Sequence, residues 1–109
     1  MKAPSKVKIM GRWFKINYVY GPTDPELTQY NAGHINCSQG LIKVDSRLGL
    51  DEMKITVWHE LTHGADIESA DGDTSLILRE DQIGRVARAQ FTVMRDNPKL
   101  VAWMLEHDK

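Results

Sequence analysis

A chain of 109 residues with 41% hydrophobic and 27% charged side chains has the ordinary balance of one globular domain. Fourteen basic against fifteen acidic residues leave a formal charge of -1, which removes any electrostatic ground for non-specific nucleic-acid binding. A lone cysteine, Cys37, excludes an intramolecular disulfide and suits a reducing, cytoplasmic setting; no run approaches the length of a membrane span, and Pro4, Ser5, Lys6 and Lys8 interrupt any signal-peptide core.

Residues 7–20 are rich in β-branched and aromatic side chains with rough alternation around Gly11, the pattern of one bent strand or a tight hairpin. Lys2, Lys6, Lys8, Arg12 and Lys15 are interleaved there with Trp13 and Phe14, and they read as the solvated face of that element rather than as a phosphate contact. Gly21, Pro22, Thr23, Asp24 and Pro25 end it and open a loop or short helical turn through Tyr30. Residues 34–38 and 41–45 form two short strands joined around Gln39 and Gly40, a β-hairpin.

Asp51 is the expected N-cap of a helix over residues 52–66, with Glu52 at the positive end of its dipole. Met53, Val57, Leu61 and Ala65 recur at four-residue intervals and give that helix a core-facing stripe beside Trp58. Residues 69–73 read as an exposed loop. Thr74 or Ser75 is the expected cap of a second helix running to residue 96, where Asn97 and Pro98 stop it. Ile83, Val86, Ala87, Gln90, Val93 and Met94 lie near one face of it. A last short helix, residues 98–106, offers Leu100, Val101, Trp103, Met104 and Leu105 for packing. The expected architecture is a single α+β domain, a small mainly antiparallel β-sheet packed on two longer helices plus a short C-terminal helix.

The first long helix contains His59-Glu60-Leu61-Thr62-His63, the pattern H-E-x-x-H. Four residues turn a helix through roughly 400°, so both imidazoles project from one face, a turn apart, and can grip one cation. Zinc suits this donor set because it accepts two neutral imidazoles and a carboxylate and keeps a position for water. Its effect is to lower the pKa of that water towards roughly 7 and to polarise a scissile carbonyl, while Glu60 serves as general base and then general acid. Chance produces the five-residue pattern on the order of once in several hundred chains of this length, so the helical context carries part of the argument.

A third ligand must come from downstream. Metzincins carry glycine and histidine where this chain has Asp66 and Ser69, which excludes that group. Glu80 is the leading candidate, near the start of the second helix, with Gly84 one turn later allowing close helix approach. Asp81 is the nearest rival, followed by Asp66 and Glu68. His34 and Tyr30 are candidate donors to a tetrahedral oxyanion, and Cys37 is either a switch ligand or a small buried side chain.

The run from His59 to His63, then Glu80, then Ala87-Arg88 and Arg95-Asp96-Asn97-Pro98 resembles the short phage- and prophage-encoded metallopeptidases related to ImmA/IrrE proteins, and also the comparably small minigluzincins. The resemblance covers roughly two thirds of the chain, from the hairpin at His34 to the last helix. It implies a gluzincin-type site of HExxH plus a downstream glutamate, here Glu80 after sixteen intervening residues, a short spacing for that group. It also implies a phage or mobile-element setting and a hairpin edge strand, with residues 41–45 the candidate, that aligns an extended peptide beside the zinc. Protein or peptide substrates in the cytoplasm are the expected partners. The alternative to a peptidase is a non-catalytic module that keeps zinc as a structural pin and acts by occupying a host protein or repressor.

Overall fold

In the computed structural model, which describes residues 2–27 and 31–107, strand β1 (Lys6–Ile9) turns directly into β2 (Arg12–Val19). The two residues between them, Met10 and Gly11, have φ of 50° and 85°. Two positive φ values in a two-residue loop make a type I′ turn, whose twist matches the strands it joins, so residues 7–20 form a tight hairpin. Its outer face carries Lys6, Lys8 and Lys15, whereas Arg12, in register with buried Ile9 and lying over the Phe14 ring, is on the core side and pairs with Glu68, against the expectation for that residue. The Lys6 and Lys8 ammonium groups lie 4.8 and 5.5 Å from the centre of the exposed Trp13 ring, an arrangement that occupies them within the solvated face.

Strands β3 (Gly33–Asn36) and β4 (Leu41–Asp45) form the second hairpin. The sheet order is β1-β2-β4-β3, with β4 parallel to β2 and the other two pairings antiparallel. This corrects the expected edge. Residues 41–45 lie inside the sheet, paired on both sides, because alternation puts Ile42 and Val44 on the core face in register with Ile16 and Tyr18. The exposed edge of this hairpin is β3.

Helix α1 (Leu50–Ser69) crosses the sheet, starting after Gly49 rather than Asp51 and running three residues beyond the expected end. Its Met53, Val57, Leu61 and Ala65 stripe packs on a core of Ile9, Phe14, Ile16, Ile42 and Val44. Each such buried side chain contributes roughly 1.5–3 kcal/mol of hydrophobic stabilisation. A second stripe, Thr56, Glu60 and Gly64, is also buried. A Cβ on Gly64 would stand 2.8 Å from Ile9 Cδ1 and 2.9 Å from Ile35 Cδ1, so this glycine sets how closely the helix lies on the sheet.

The second helix begins later than its sequence suggests. Asp73 accepts from the Ser75 backbone N–H and starts a 3-10 turn, Thr74–Leu76, while α2 (Glu80–Asp96) starts only after Arg79, whose backbone N–H donates to Gln82 Oε1 at 2.8 Å. Between the two, the Leu78 N–H donates to Asp66 Oδ2 at 2.9 Å and ties this segment to α1. Ile83 and Ala87 face inward, whereas Val86 and Val93 are exposed. Helix α3 (Pro98–Met104) packs against α2, with Asn97 Nδ2 donating to the Val93 carbonyl at 2.8 Å. A helix of seven residues lying on one neighbour covers one face only. Val101 is half-buried, while Leu100, Trp103, Met104 and Leu105 are exposed, against the expectation that all five pack. The chain is thus α+β, a mixed four-stranded sheet with two longer helices and a short terminal one. Among the described residues no helix is long and apolar enough to cross a membrane.

Candidate metal centre

One turn of α1 separates His59 from His63, and the first residue of α2, Glu80, faces both. The two Nε2 atoms are 3.1 Å apart. Glu80 Oε1 lies 2.7 Å from His59 Nε2 and Glu80 Oε2 lies 2.6 Å from His63 Nε2, so one carboxylate bridges both rings. These are the three donors that the described residues bring within 4.8 Å of one another. A tetrahedral zinc with bonds of about 2.0–2.1 Å holds its ligand atoms roughly 3.3 Å apart, close to the imidazole spacing here. The side chain of Glu80 is 73% exposed and can draw back the roughly half ångström that such a bond length asks. The donor set and its convergence therefore fit the cation that the motif implies.

The expected rivals to Glu80 are held elsewhere. Asp81 accepts from the Arg79 guanidinium at 3.1 and 3.3 Å, Asp66 accepts the Leu78 N–H, and Glu68 pairs with Arg12 at 2.8 Å. His34, on β3 opposite Lys43, pairs through Nε2 with Glu26 at 3.0 Å and is not one of the three converging donors. Cys37 packs against the hydrophobic core, where burial first and the charge of Glu68 second raise its thiol pKa, the behaviour of a structural side chain. Tyr30 lies outside the described residues.

Glu60 is 6% exposed. It sits on the buried stripe of α1 beneath the start of β3, and burial, followed by the negative charge of Glu80, pushes its pKa up from 4.5 to about 8. A cation between His59, His63 and Glu80 would offset the charge of Glu80 and favour the ionised form of the buried carboxylate. The ionised carboxylate is the form that a general base needs.

The backbone that covers Glu60 can do so because residue 33 has no side chain. A Cβ there would stand 2.8 Å from Thr56 Cγ2, 3.1 Å from Glu60 Cγ and 3.2 Å from Glu60 Oε2. Gly33 escaped the sequence analysis, although an isolated glycine at a strand start is the signal of close backbone approach. Gly84 has the opposite outcome. A Cβ on it would meet only His59 Cε1, at 3.6 Å, an ordinary contact, so the two helices do not need a glycine there. Beside the triad a polar cleft of about 250 Å³ is lined by Thr56, His59, Glu60 and Glu80, and also by Glu52 and Arg88. That is smaller than the ~300–1,000 Å³ of pockets that engulf a drug-sized ligand, and it suits a segment of chain lying across the surface. Broader apolar depressions of about 530 and 570 Å³ flank Trp58 and contain none of the three donors.

Comparison of the chain with protein-family models, with characterised proteins and with solved structures finds no match to any of them.

Proposed function

We propose that this chain is a zinc-dependent metallopeptidase that hydrolyses peptide bonds in protein or peptide substrates. The observation that carries the reading is the convergence of His59 Nε2, His63 Nε2 and the Glu80 carboxylate on one point, with the buried Glu60 beside them. His59, His63 and Glu80 would hold the ion. Zinc bound there would supply Lewis acidity towards a substrate carbonyl and towards water. Glu60 takes the proton of the attacking water and passes it to the departing amine, its buried position beside the three donors suiting both transfers. Among the described residues strand β3 pairs with β4 on one side only, so its outer edge would offer backbone N–H and C=O groups to an extended peptide. Gly33 on that edge packs directly on Glu60, which would bring the aligned peptide to the base. The single free cysteine and the absence of long apolar helices among the described residues are consistent with work in the cytoplasm.

The deciding experiment combines metal analysis with a peptide-library hydrolysis assay on the wild type and on Glu60→Gln. The wild type should carry about one zinc per chain and cleave, whereas E60Q should keep the zinc and lose turnover. Purified protein that neither contains nor takes up zinc defeats the reading. Retention of full hydrolysis by E60Q defeats the role of Glu60, and retention of a biological effect by a non-cleaving E60Q would favour the non-catalytic binding module.

A further inference from the structure

We infer that Arg88 is the specificity determinant of the cleft and that it selects substrates carrying a carboxylate a few residues from the scissile bond. This deepens the peptidase reading and rests on it for the position of the bond. The first observation is charge. The cleft beside the triad is lined by three carboxylates, those of Glu52, Glu60 and Glu80, and by one cationic side chain, Arg88. The second is that Arg88 is unpaired among the described residues: neither Glu52 nor Glu80 reaches it as an ion-pair partner, and its guanidinium donates no hydrogen bond there. Arg12 clasps Glu68, Arg47 clasps Asp45 and Arg79 clasps Asp81; Arg85 and Arg95 share with Arg88 the lack of an acidic partner among the described residues, but of the three only Arg88 lines the cleft.

The third observation is placement. Glu80, Gly84 and Arg88 follow one another at four-residue steps, so they descend one side of α2 towards the end of the cleft where Glu52 and Thr56 of α1 lie. Eight residues of helix span about 12 Å. An extended peptide advances about 3.3 Å per residue, so a chain aligned on β3 with its reacting carbonyl at the triad reaches Arg88 after about three to four residues. A planar guanidinium there presents a fork that a carboxylate fills bidentately. Two sources supply that group, an Asp or Glu side chain and the free C-terminus of a short product-like segment.

The test uses full-length E60Q loaded with zinc, so that binding is read without turnover. It is immobilised and exposed to synthetic random octapeptides, one pool with free C-terminal carboxylates and one amidated, beside the same protein carrying Arg88→Ala, Arg88→Gln or Arg88→Lys. E60Q should enrich acidic over amide side chains at a fixed position, or free over amidated termini, by about tenfold or more, and R88A and R88Q should abolish that enrichment while R88K keeps part of it. The position-specific outcome assigns the side chain, and the terminus-specific outcome assigns the carboxy end. Absence of either enrichment in E60Q, or its persistence in R88A and R88Q with unchanged melting curves, overturns the proposal. So does a uniform loss of wild-type kcat on introducing R88A with KM and peptide selection unchanged, which would make Arg88 a transition-state group instead. Zinc content and wild-type hydrolysis are measured separately. If they fail while Arg88-dependent selection stands, the peptidase reading falls alone.

Discussion

Gly33→Ala tests the link between the sheet edge and the candidate base. The added Cβ would stand 2.8 Å from Thr56 Cγ2 and 3.1 Å from Glu60 Cγ, where carbon pairs prefer about 3.5–4.0 Å. Either β3 withdraws by about half an ångström or more, or Thr56 and Glu60, both buried, leave their positions. Overpacking of this kind costs typically about 1–3 kcal/mol. The loss of chain entropy in the unfolded state returns about 0.4–1 kcal/mol of that, leaving a net destabilisation of about 1–2 kcal/mol, or about 4–10 °C in Tm for a domain of this size. Hydrolysis should suffer more than stability, since displacing a catalytic group by about an ångström can cost on the order of a hundredfold. Zinc affinity should stay within a few-fold, because the atoms nearest the added Cβ belong to Thr56 and Glu60 and not to the three donors. Thr56→Ser removes the methyl group responsible for the shortest contact and should restore part of the Tm in the double variant. Gly84→Ala is the matched control: its Cβ meets only an ordinary contact, and an interior helical alanine in place of glycine should stabilise by about 0.5–1 kcal/mol. Thermal melts followed by circular dichroism, zinc competition and peptide hydrolysis read all four variants. Wild-type Tm and turnover in G33A would refute the close packing of β3 on Glu60 and the reasoning built on it.

Zinc at a hundred times its dissociation constant should raise wild-type stability by about 2.7 kcal/mol, an increment abolished by His59→Ala, His63→Ala or Glu80→Ala and reversed by a chelator in the melting assay. Asp66→Ala frees the Leu78 N–H and loosens the segment that delivers Glu80, so calorimetry should show a loss of about 1 kcal/mol, and competition titration a several-fold weaker zinc affinity. Acid unfolding should depend on Asp45. The Arg47 guanidinium first, then the Arg47 backbone N–H, hold its pKa at about 2 instead of 3.8. A depressed carboxylate stabilises the fold fully above its unfolded pKa, and that contribution fades as pH falls from about 4 to about 2. Wild type should therefore lose about 2 kcal/mol across that window, while Asp45→Asn, less stable at neutral pH, should show a flatter curve in urea titrations at each pH.

What could be read from the sequence, and what could not, divides along the range of the interaction concerned. Two histidines at a four-residue spacing share a helical face whatever the rest of the chain does, so His59 and His63 needed only the apolar period of Met53, Val57, Leu61 and Ala65 around them. The start of α2 was misplaced by about a turn and a half because Asp73, Thr74 and Ser75 satisfy a 3-10 turn with the same side-chain chemistry that caps an α-helix. The alternation of residues 41–45 announces one buried face but carries no information on whether one or both edges are paired, so the edge was assigned to β4 when it belongs to β3. Arg88 lies in the same helix as Glu80, yet its place in the cleft depends on how α2 crosses α1, which no local pattern states.

The same division has a chemical consequence for Glu60. The motif supplies a carboxylate between two imidazoles, but an H-E-x-x-H on a solvated helix would hold a glutamate of ordinary acidity. Here the pKa near 8 comes mainly from burial beneath β3, and that burial is possible because a glycine stands at position 33. The strand with the open edge is therefore also the strand that buries Glu60. A change that moves β3 away from α1 should weaken peptide alignment and proton transfer together, while a change confined to α2 should alter zinc affinity and substrate selection and reach the base only through the charge of Glu80.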